Sequence, residues 1–225
     1  MTAPEPDIES LEELDARRWI VLTIGVAATV AFVALRLVVA LGGHDPLPAD
    51  VWWHALMLVT ETDAGVLAAW VPSIVGGTIG MIVIGILLVG AFAWRRRFWD
   101  AANLAAAIVI VVAIGAPMAA IIARTRPGDS LAERVATSFP SGHTAVATTF
   151  AVTLALLLRR WWIWVGGIVW VVYMMWARTY LHAHWLSDVL AGLLEGIAVA
   201  CLVWCAVEAL RARRALRAEK PPPDE

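Results

Sequence analysis

His184 and Asp188 are well suited to chemistry, because a spacing of four puts both side chains on one face of a helix. A carboxylate in that position can hold one ring nitrogen of the histidine and leave the other as a nucleophile toward phosphorus. Arg178 lies just upstream and offers a positive charge to an anionic substrate. His182 is an alternative nucleophile, but its spacing of six predicts a different helix face. Taken alone, a His–Asp pair is also explained by an ordinary ion pair.

A second polar cluster, Phe139-Pro-Ser141-Gly142-His143-Thr, directly precedes an apolar run. Ser141 or a neighbour is expected to cap the helix that begins there, and the free N–H groups of its first turn attract anions. Gly142 permits close approach of a ligand to the backbone. His143 is placed to give or take a proton beside that anion seat.

A third cluster is Arg124-Thr-Arg126-Pro127, where Pro127 ends a helix and leaves two guanidinium groups at its boundary. The planar guanidinium donates two parallel hydrogen bonds and therefore suits phosphate oxygens. By itself such a pair is more often explained by arginines that extend their charged ends toward water.

Together the three clusters supply what phosphoryl transfer needs: positive charge around the oxygens, an in-line nucleophile and an opposing acid. We expect His143 and His184 to face each other across one pocket rimmed by arginines. Zinc is the competing use of clustered histidines, but this set lacks a third clear ligand and its arginines repel a cation. The sequence therefore predicts neither a metal nor a cofactor at this site.

The elements that must position these residues are apolar helices. The chain is 61% hydrophobic and 16% charged, with a mean hydropathy of +0.77. Its runs lack the alternation of barrel strands, so the sequence predicts an all-α integral membrane bundle of six transmembrane helices. A net charge of −2 with scattered basic clusters argues against a nucleic-acid partner. The predicted spans are 19–42, 72–94, 101–123, 143–158, 161–181 and 186–210.

Arginine clusters predict the orientation of the bundle. They fall at 17–18, 95–97, 159–160 and 211–214, which places all four on one side if six spans alternate. That side is expected to be the cytoplasm of a bacterial plasma membrane, with both termini there and the active site on the extracytoplasmic side.

The predicted domain is a single six-helix unit over 19–214, flanked by two polar segments. Residues 1–18 form an acidic cytoplasmic segment, and 215–225 a disordered, proline-rich cytoplasmic tail. The outward segment 43–71 contains HDPLP followed by VWWHALMLV, which predicts a turn and then a helix lying on the membrane surface.

The three clusters resemble the signature of the phosphatidic acid phosphatase type 2 superfamily. That signature is a lysine, six residues and Arg-Pro; then Pro-Ser-Gly-His; then Ser-Arg, five residues, His, three residues and Asp. The resemblance spans about 126–188, and the six-span layout extends it over most of the chain. At the family's spacing the sequence has Arg126-Pro127, Pro140-Ser141-Gly142-His143, and Arg178 with His184 and Asp188.

The resemblance implies a metal-independent site near the outer membrane surface, on a fold related to vanadium haloperoxidases and glucose-6-phosphatase. His184 looks like the nucleophile that forms a phosphohistidine, Asp188 its orienting partner, and His143 the acid that protonates the leaving oxygen and later activates water. The phosphate holders it implies are Arg126, Arg178, Ser141 and the backbone N–H of Gly142.

Two positions depart from the pattern: Ala119 stands where the family has its lysine, and Ala177 precedes Arg178 where the family has serine. Loss of the lysine removes one positive charge from the phosphate pocket. We hypothesise that Arg124 or Arg36 supplies it.

The function expected is a lipid phosphate or diphosphate phosphohydrolase, with an undecaprenyl-type diphosphate, a phosphatidic acid or a phosphatidylglycerol phosphate as substrate. Its partners are then that lipid and the bilayer; the sequence indicates no oligomeric state. Two alternatives remain. One is a phosphotransferase that uses the same histidine and passes the phosphoryl group to a lipid or sugar. The other is a non-catalytic binding or carrier protein on the same fold.

Overall fold

The computed structural model describes residues 8–132 and 137–218, and in this part of the chain the regular structure is helical. The all-α prediction is therefore confirmed. The eight helices described are α1 (Ile8–Leu41), α2 (Pro48–Val59), α3 (Asp63–Val75), α4 (Thr78–Trp94), α5 (Phe98–Ile122), α6 (Gly142–Leu158), α7 (Trp161–Tyr180) and α8 (Leu186–Ala218).

Three described helices are long and apolar enough to cross a membrane: α1 from Ala16 onward, α5 and α8. The pair α3 and α4, bent by 48°, makes a fourth if it counts as one span. Helix α6 has only 17 residues. The chain is thus built as an integral membrane protein, and the count of six spans stays a prediction.

The predicted second span, 72–94, was wrong at its beginning. The helix that contains Pro72 already begins at Asp63, where Thr62 caps it by accepting a hydrogen bond from the Gly65 N–H at 3.1 Å. It ends at Val75, and α4 begins only after Gly76 and Gly77. Two glycines in succession stabilise a helix poorly, and this explains why the apolar run breaks.

Helix α2 occupies part of the segment for which a surface helix was predicted, and it packs against α7 and α8. Pro48 stands in its first turn, where a missing N–H costs nothing. Asp50 accepts a hydrogen bond from the Leu47 N–H at 2.9 Å and so closes the start of the helix. Its position on a membrane surface stays a prediction.

Helices α6 and α8 pack closely because α8 presents glycines to α6. A Cβ on Gly192 would lie 2.5 Å from the Ser141 carbonyl oxygen, and one on Gly196 would lie 2.5 Å from the Thr148 Cβ. Real side chains do not tolerate such distances, so glycine is required at both positions. The close approach lets the Ser141 N–H donate to the Asp188 carbonyl at 3.0 Å. Two of the predicted site segments are joined in this way.

The four arginine clusters lie at the end of the bundle opposite the predicted site segments. Arg17 donates to the Leu156 carbonyl at 2.7 Å, and Arg97 donates to the neighbouring Leu157 carbonyl at 3.1 Å. A cleft at this end is lined by members of all four clusters, including Arg18, Arg159 and Arg211. Their convergence on one side agrees with the spacing in the sequence. That this side faces the cytoplasm stays a prediction.

The predicted disordered tail began too early. Helix α8 continues to Ala218, so residues 215–218 are helical, because alanine, leucine and arginine there favour the helix. The rest of the tail lies outside the described residues, as do residues 1–7.

Candidate active site

His184 lies in the turn between α7 and α8, with 4% of its surface exposed. Its backbone N–H donates to the Arg178 carbonyl at 3.2 Å, which ties the turn to the end of α7. Its ring Nδ1 lies 2.8 Å from the Ser138 carbonyl oxygen. A carbonyl can only accept, so Nδ1 carries the proton and Nε2 keeps its lone pair. The geometry therefore leaves the lone pair of the neutral ring on Nε2.

Asp188 does not form the contact that was expected of it. Its Oδ2 lies 3.7 Å from Nδ1 of His184, too long for a hydrogen bond, and Ser138 holds that nitrogen instead. The Asp188 carboxylate is held by other donors: Oδ1 accepts from Arg124 at 2.6 Å and Oδ2 from the Trp185 N–H at 2.9 Å. Asp188 acts on the imidazole through its charge, while a backbone carbonyl fixes the ring.

Arg124 was predicted to hold phosphate, and the structure contradicts this. Its guanidinium is fully buried between two carboxylates, with Nη2 2.7 Å from Asp50 and Nη1 2.6 Å from Asp188. Nη1 also donates to the Ser187 hydroxyl at 2.7 Å. A guanidinium neutralised on both sides has no charge to offer a substrate. Arg124 is therefore a positioning residue, and it does not replace the family lysine.

The other arginine suggested for that replacement, Arg36, lies in α1. Its Nε is buried and has no hydrogen-bond partner among the described residues. Its role stays a prediction.

Arg126 lies against the imidazole of His184. Its Nη1 is 3.3 Å from Nε2 of His184, and the same nitrogen donates to the Ala183 carbonyl. A phosphoryl group bonded to Nε2 would therefore form beside a guanidinium. Arg178 is almost fully buried at the end of α7, with Nη1 3.3 Å from the Ser73 hydroxyl of α3. The two arginines approach from different elements, as a phosphate pocket requires.

The Ser141-Gly142-His143 segment begins α6 as expected, but the serine does not cap it. Ser141 occupies the N-cap position with no capping bond from its side chain, and its hydroxyl instead accepts from Thr144 at 3.1 Å. A Cβ on Gly142 would meet nothing within 4 Å, so the backbone there is open to a ligand. His143 is half-buried, with Nε2 3.8 Å from where a Cβ on Gly77 would stand. The bend between α3 and α4 thus adjoins the predicted acid.

The His184 side chain is held neutral. Burial lowers its pKa to about 4. The Asp188 carboxylate opposes this shift, and the positive charges of Arg178 and Arg126 add to it. A neutral imidazole with a lone pair on Nε2 is the form that attacks phosphorus.

Sequence reasoning missed two residues of this site, Ser138 and Asp50. Ser138 acts through its main-chain oxygen, which leaves no mark on residue type. Asp50 accepts from Arg124 and from both the N–H and the hydroxyl of Ser187, at 2.7 to 2.8 Å. The available signal was an aspartate in the first turn of a helix that follows a proline, which predicts a cap but not burial.

The chain is similar in sequence to known proteins. A model of the PAP2 superfamily matches residues 100–212. The chain is 44% identical over 59 residues to an undecaprenyl-diphosphatase of Sulfolobus acidocaldarius, covering 26% of this chain and 28% of that protein. It is 42% identical over 67 residues to the putative undecaprenyl-diphosphatase YbjG of Escherichia coli, covering 29% and 32%. The matches span less than a third of either relative.

Two solved structures share the fold. The transmembrane PAP2 type phosphatidylglycerolphosphate phosphatase of Bacillus subtilis aligns with a TM-score of 0.72 at 18% identity, over 83% of this chain and 96% of its own. LpxE of Aquifex aeolicus aligns with a TM-score of 0.61 at 21% identity, over 68% and 93%. At these identities the likeness establishes the arrangement of helices.

Proposed function

The chain belongs to the PAP2 superfamily, and on that premise we propose that it hydrolyses a lipid phosphate or diphosphate in a membrane through a phosphohistidine on His184. The observation that supports the proposal is the pair of contacts made by the His184 imidazole. Nδ1 donates to the Ser138 carbonyl, and Nε2 keeps its lone pair and lies 3.3 Å from Nη1 of Arg126, which can donate to it until a phosphoryl group takes its place. A neutral nucleophile beside a cation is the arrangement that phosphoryl transfer uses.

The reaction proceeds in two steps. Nε2 of His184 attacks phosphorus, forming an N–P bond as the bond to the leaving oxygen breaks, and His143 gives that oxygen a proton. Then His143 takes a proton from water, the water oxygen attacks phosphorus, and the N–P bond breaks to release phosphate. Arg126, Arg178, Ser141 and the backbone N–H of Gly142 hold the phosphoryl oxygens and stabilise the charge that develops on them.

The substrate class follows from the relatives. Two of them are named undecaprenyl-diphosphatase, which supports a polyprenyl diphosphate. The fold shared with a phosphatidylglycerolphosphate phosphatase makes that lipid and phosphatidic acid the next substrates to compare. All of these present an anionic phosphate at a membrane surface to a site at the His184 end of the bundle. We propose that this end faces outward from the plasma membrane and that both termini lie in the cytoplasm, following the arginine clusters.

The test uses purified full-length protein in detergent. Phosphate release from polyprenyl diphosphate, phosphatidylglycerol phosphate and phosphatidic acid is measured with EDTA present, since every step runs on side chains of this protein. His184→Ala should abolish release. His44→Asn is the control, because asparagine tolerates the positive φ of 68° at that position. Substrate carrying labelled phosphate should leave an acid-labile label on the wild type and none on His184→Ala.

Several results would contradict the proposal. Label retained by His184→Ala would exclude this nucleophile, and complete loss of release in EDTA by protein that remains folded would exclude metal-independent hydrolysis. If label moves to an added alcohol instead of water, the protein is a phosphotransferase that uses the same histidine. If neither release nor labelling occurs, it is a binding protein. A water-soluble, short-chain substrate added to sealed cells should be hydrolysed outside; hydrolysis only after lysis would reverse the orientation.

A further inference from the structure

Three side chains outside the phosphate site converge from distant parts of the chain. They are His54 of α2, Asp129 of the segment after α5, and His182 of the turn before α8. Nε2 of His54 lies 3.1 Å from Oδ2 of Asp129, and the two imidazole rings meet edge to face at 4.9 Å. One potential ligand atom from each residue lies within 4.8 Å of the others. Such spacing allows one ion to bind all three.

His182 has a buried atom that lacks a partner. The residue is 1% exposed, and its Nδ1 has no hydrogen-bond partner within the described ranges. Its Nε2 lies 2.6 Å from Oε2 of Glu61. A carboxylate that accepts from Nε2–H leaves the lone pair on Nδ1. A buried polar atom without a partner costs free energy, and a bound ion removes that cost.

The Glu61–His182 pair has the form of a metal ligand with its supporting group. Histidines that bind metals commonly donate their second ring N–H to a carboxylate, which fixes the ring and makes it a better ligand. Glu61 occupies that position beside His182.

Charge and access also suit a cation. Asp129 and Glu61 together carry two negative charges, which balance one divalent ion. The Asp129 side chain is 41% exposed and that of His54 is 18% exposed, so an ion can reach the cluster from solvent. A ligand set of imidazole nitrogen and carboxylate oxygen favours zinc over magnesium or calcium.

We propose that His54, Asp129 and His182 form a zinc site, with Glu61 as the carboxylate that orients His182 and with water in the fourth position. The sequence predicted no metal because it weighed only the histidines near the arginines. The folded chain brings in His54 and Asp129 from elsewhere. This site is separate from the proposed hydrolysis and takes no part in its steps.

The position of the site gives it a consequence. Asp129 follows Arg126 by three residues, and His182 precedes His184 by two. A zinc ion would therefore join α2 to the two segments that carry the phosphate site. The three ligands come together only in the folded chain. The ion therefore binds the folded state and should raise the melting temperature.

The test measures binding without any lipid substrate. Full-length protein, with purification tags removed and metal stripped by EDTA and dialysis, is titrated with Zn²⁺ in competition with a chromophoric chelator. Wild type should take up one equivalent, and Co²⁺ should give the visible absorption of a site with fewer than six ligands. His54→Ala and Asp129→Asn should abolish this uptake. Glu61→Gln should weaken it about 10- to 100-fold.

His44→Asn provides the matched control, since it alters a histidine outside the cluster. Zn²⁺ should raise the melting temperature of the wild type and of this control but not that of His54→Ala. Equal zinc uptake by the wild type and by the double variant His54→Ala/Asp129→Asn would overturn the proposal. So would the absence of uptake by folded wild type. Either result leaves the hydrolysis proposal intact, and an inactive protein that binds zinc leaves this one intact.

Discussion

At one end of the bundle Arg17 and Arg97 are half-buried, each donates to a helix-terminal carbonyl, and Arg17 also lies over the Trp204 ring at 4.8 Å. At the other end Arg124 and Arg178 are buried. The first pair keeps its charge near water and headgroups, as arginines at span ends do. The second pair has lost its water and depends on fixed partners inside the protein.

The difference separates arginines that anchor the end of the bundle from arginines that hold the residues of the candidate site in position. A half-buried arginine keeps part of its water, and an ion pair at such a position, like that of Arg97 with Asp100, contributes little to stability. A buried guanidinium costs several kcal/mol to desolvate unless carboxylates and carbonyls surround it. The chain provides this at Arg124 with Asp50 and Asp188. The result is a rigid base from which Asp188, Ser187 and the adjacent His184 turn are held in place.

The largest effect is expected on stability, when the buried cluster around Arg124 loses one of its negative charges. Asp50→Asn keeps the shape of the side chain but removes one of the two charges that balance Arg124, and only one oxygen then remains to accept. We expect a loss of about 3–5 kcal/mol in the free energy of unfolding, as for other broken buried pairs. The melting temperature in detergent measures it.

The control lies at the arginine-rich end. Glu208 is 3.6 Å from Arg211, and their side chains are 20% and 53% exposed, against 1% and 0% for Asp50 and Arg124. Glu208→Gln should cost no more than about 1 kcal/mol, because exposed pairs contribute little. Equal effects of the two substitutions would mean that the buried cluster is no more important to stability than a surface pair.

The next effect is on catalysis. Arg126→Lys keeps a positive charge but loses the planar group that donates to two oxygens at once. We expect kcat/KM for lipid phosphate hydrolysis to fall about 100-fold, or about 2.7 kcal/mol, which is typical of one lost transition-state contact. Arg95→Lys, an exposed arginine at the other end, should leave kcat/KM unchanged. A loss below threefold for Arg126→Lys would remove Arg126 from the phosphate site.

The fold was largely predictable because apolar runs and arginine clusters are local signals. The runs beginning near 101, 143, 161 and 186 appear as helices with nearly those starts. The break at Gly76-Gly77 was missed because an uninterrupted count of apolar residues outweighed two glycines. The tail was predicted to begin too early because the polar, proline-rich composition of its end was extended back over residues 215–218, which are helical.

The site was predictable where its residues lie close in sequence. His184 lies two residues before α8 and Asp188 lies in its first turn, and Ser141 to His143 begin one helix. The partners that set their chemistry come from far away: Asp50 lies 74 residues from Arg124, and Ser138 lies 46 from His184. No local pattern reports such contacts. This is why Arg124 was assigned to phosphate when its charge is already balanced.

The smallest effect expected is a shift in the pH profile. Burial lowers the pKa of His184 to about 4, so the neutral nucleophile persists below the usual value of 6.5 for histidine. The acid limb of kcat/KM, which reports the free enzyme, should therefore lie nearer pH 4 than 6.5. Arg126 contributes to the lowering. Replacing it by glutamine removes a nearby positive charge, favours the protonated ring and should move the limb to higher pH.

Arg95→Gln is the matched control, since its charge lies at the far end of the bundle, and its limb should coincide with that of the wild type. Both profiles use the same substrate, so titration of the lipid phosphate cancels from the difference between them. An unchanged acid limb in Arg126→Gln would show that the guanidinium does not lower the pKa of His184. The arginines at the two ends of the bundle would then differ only in their burial.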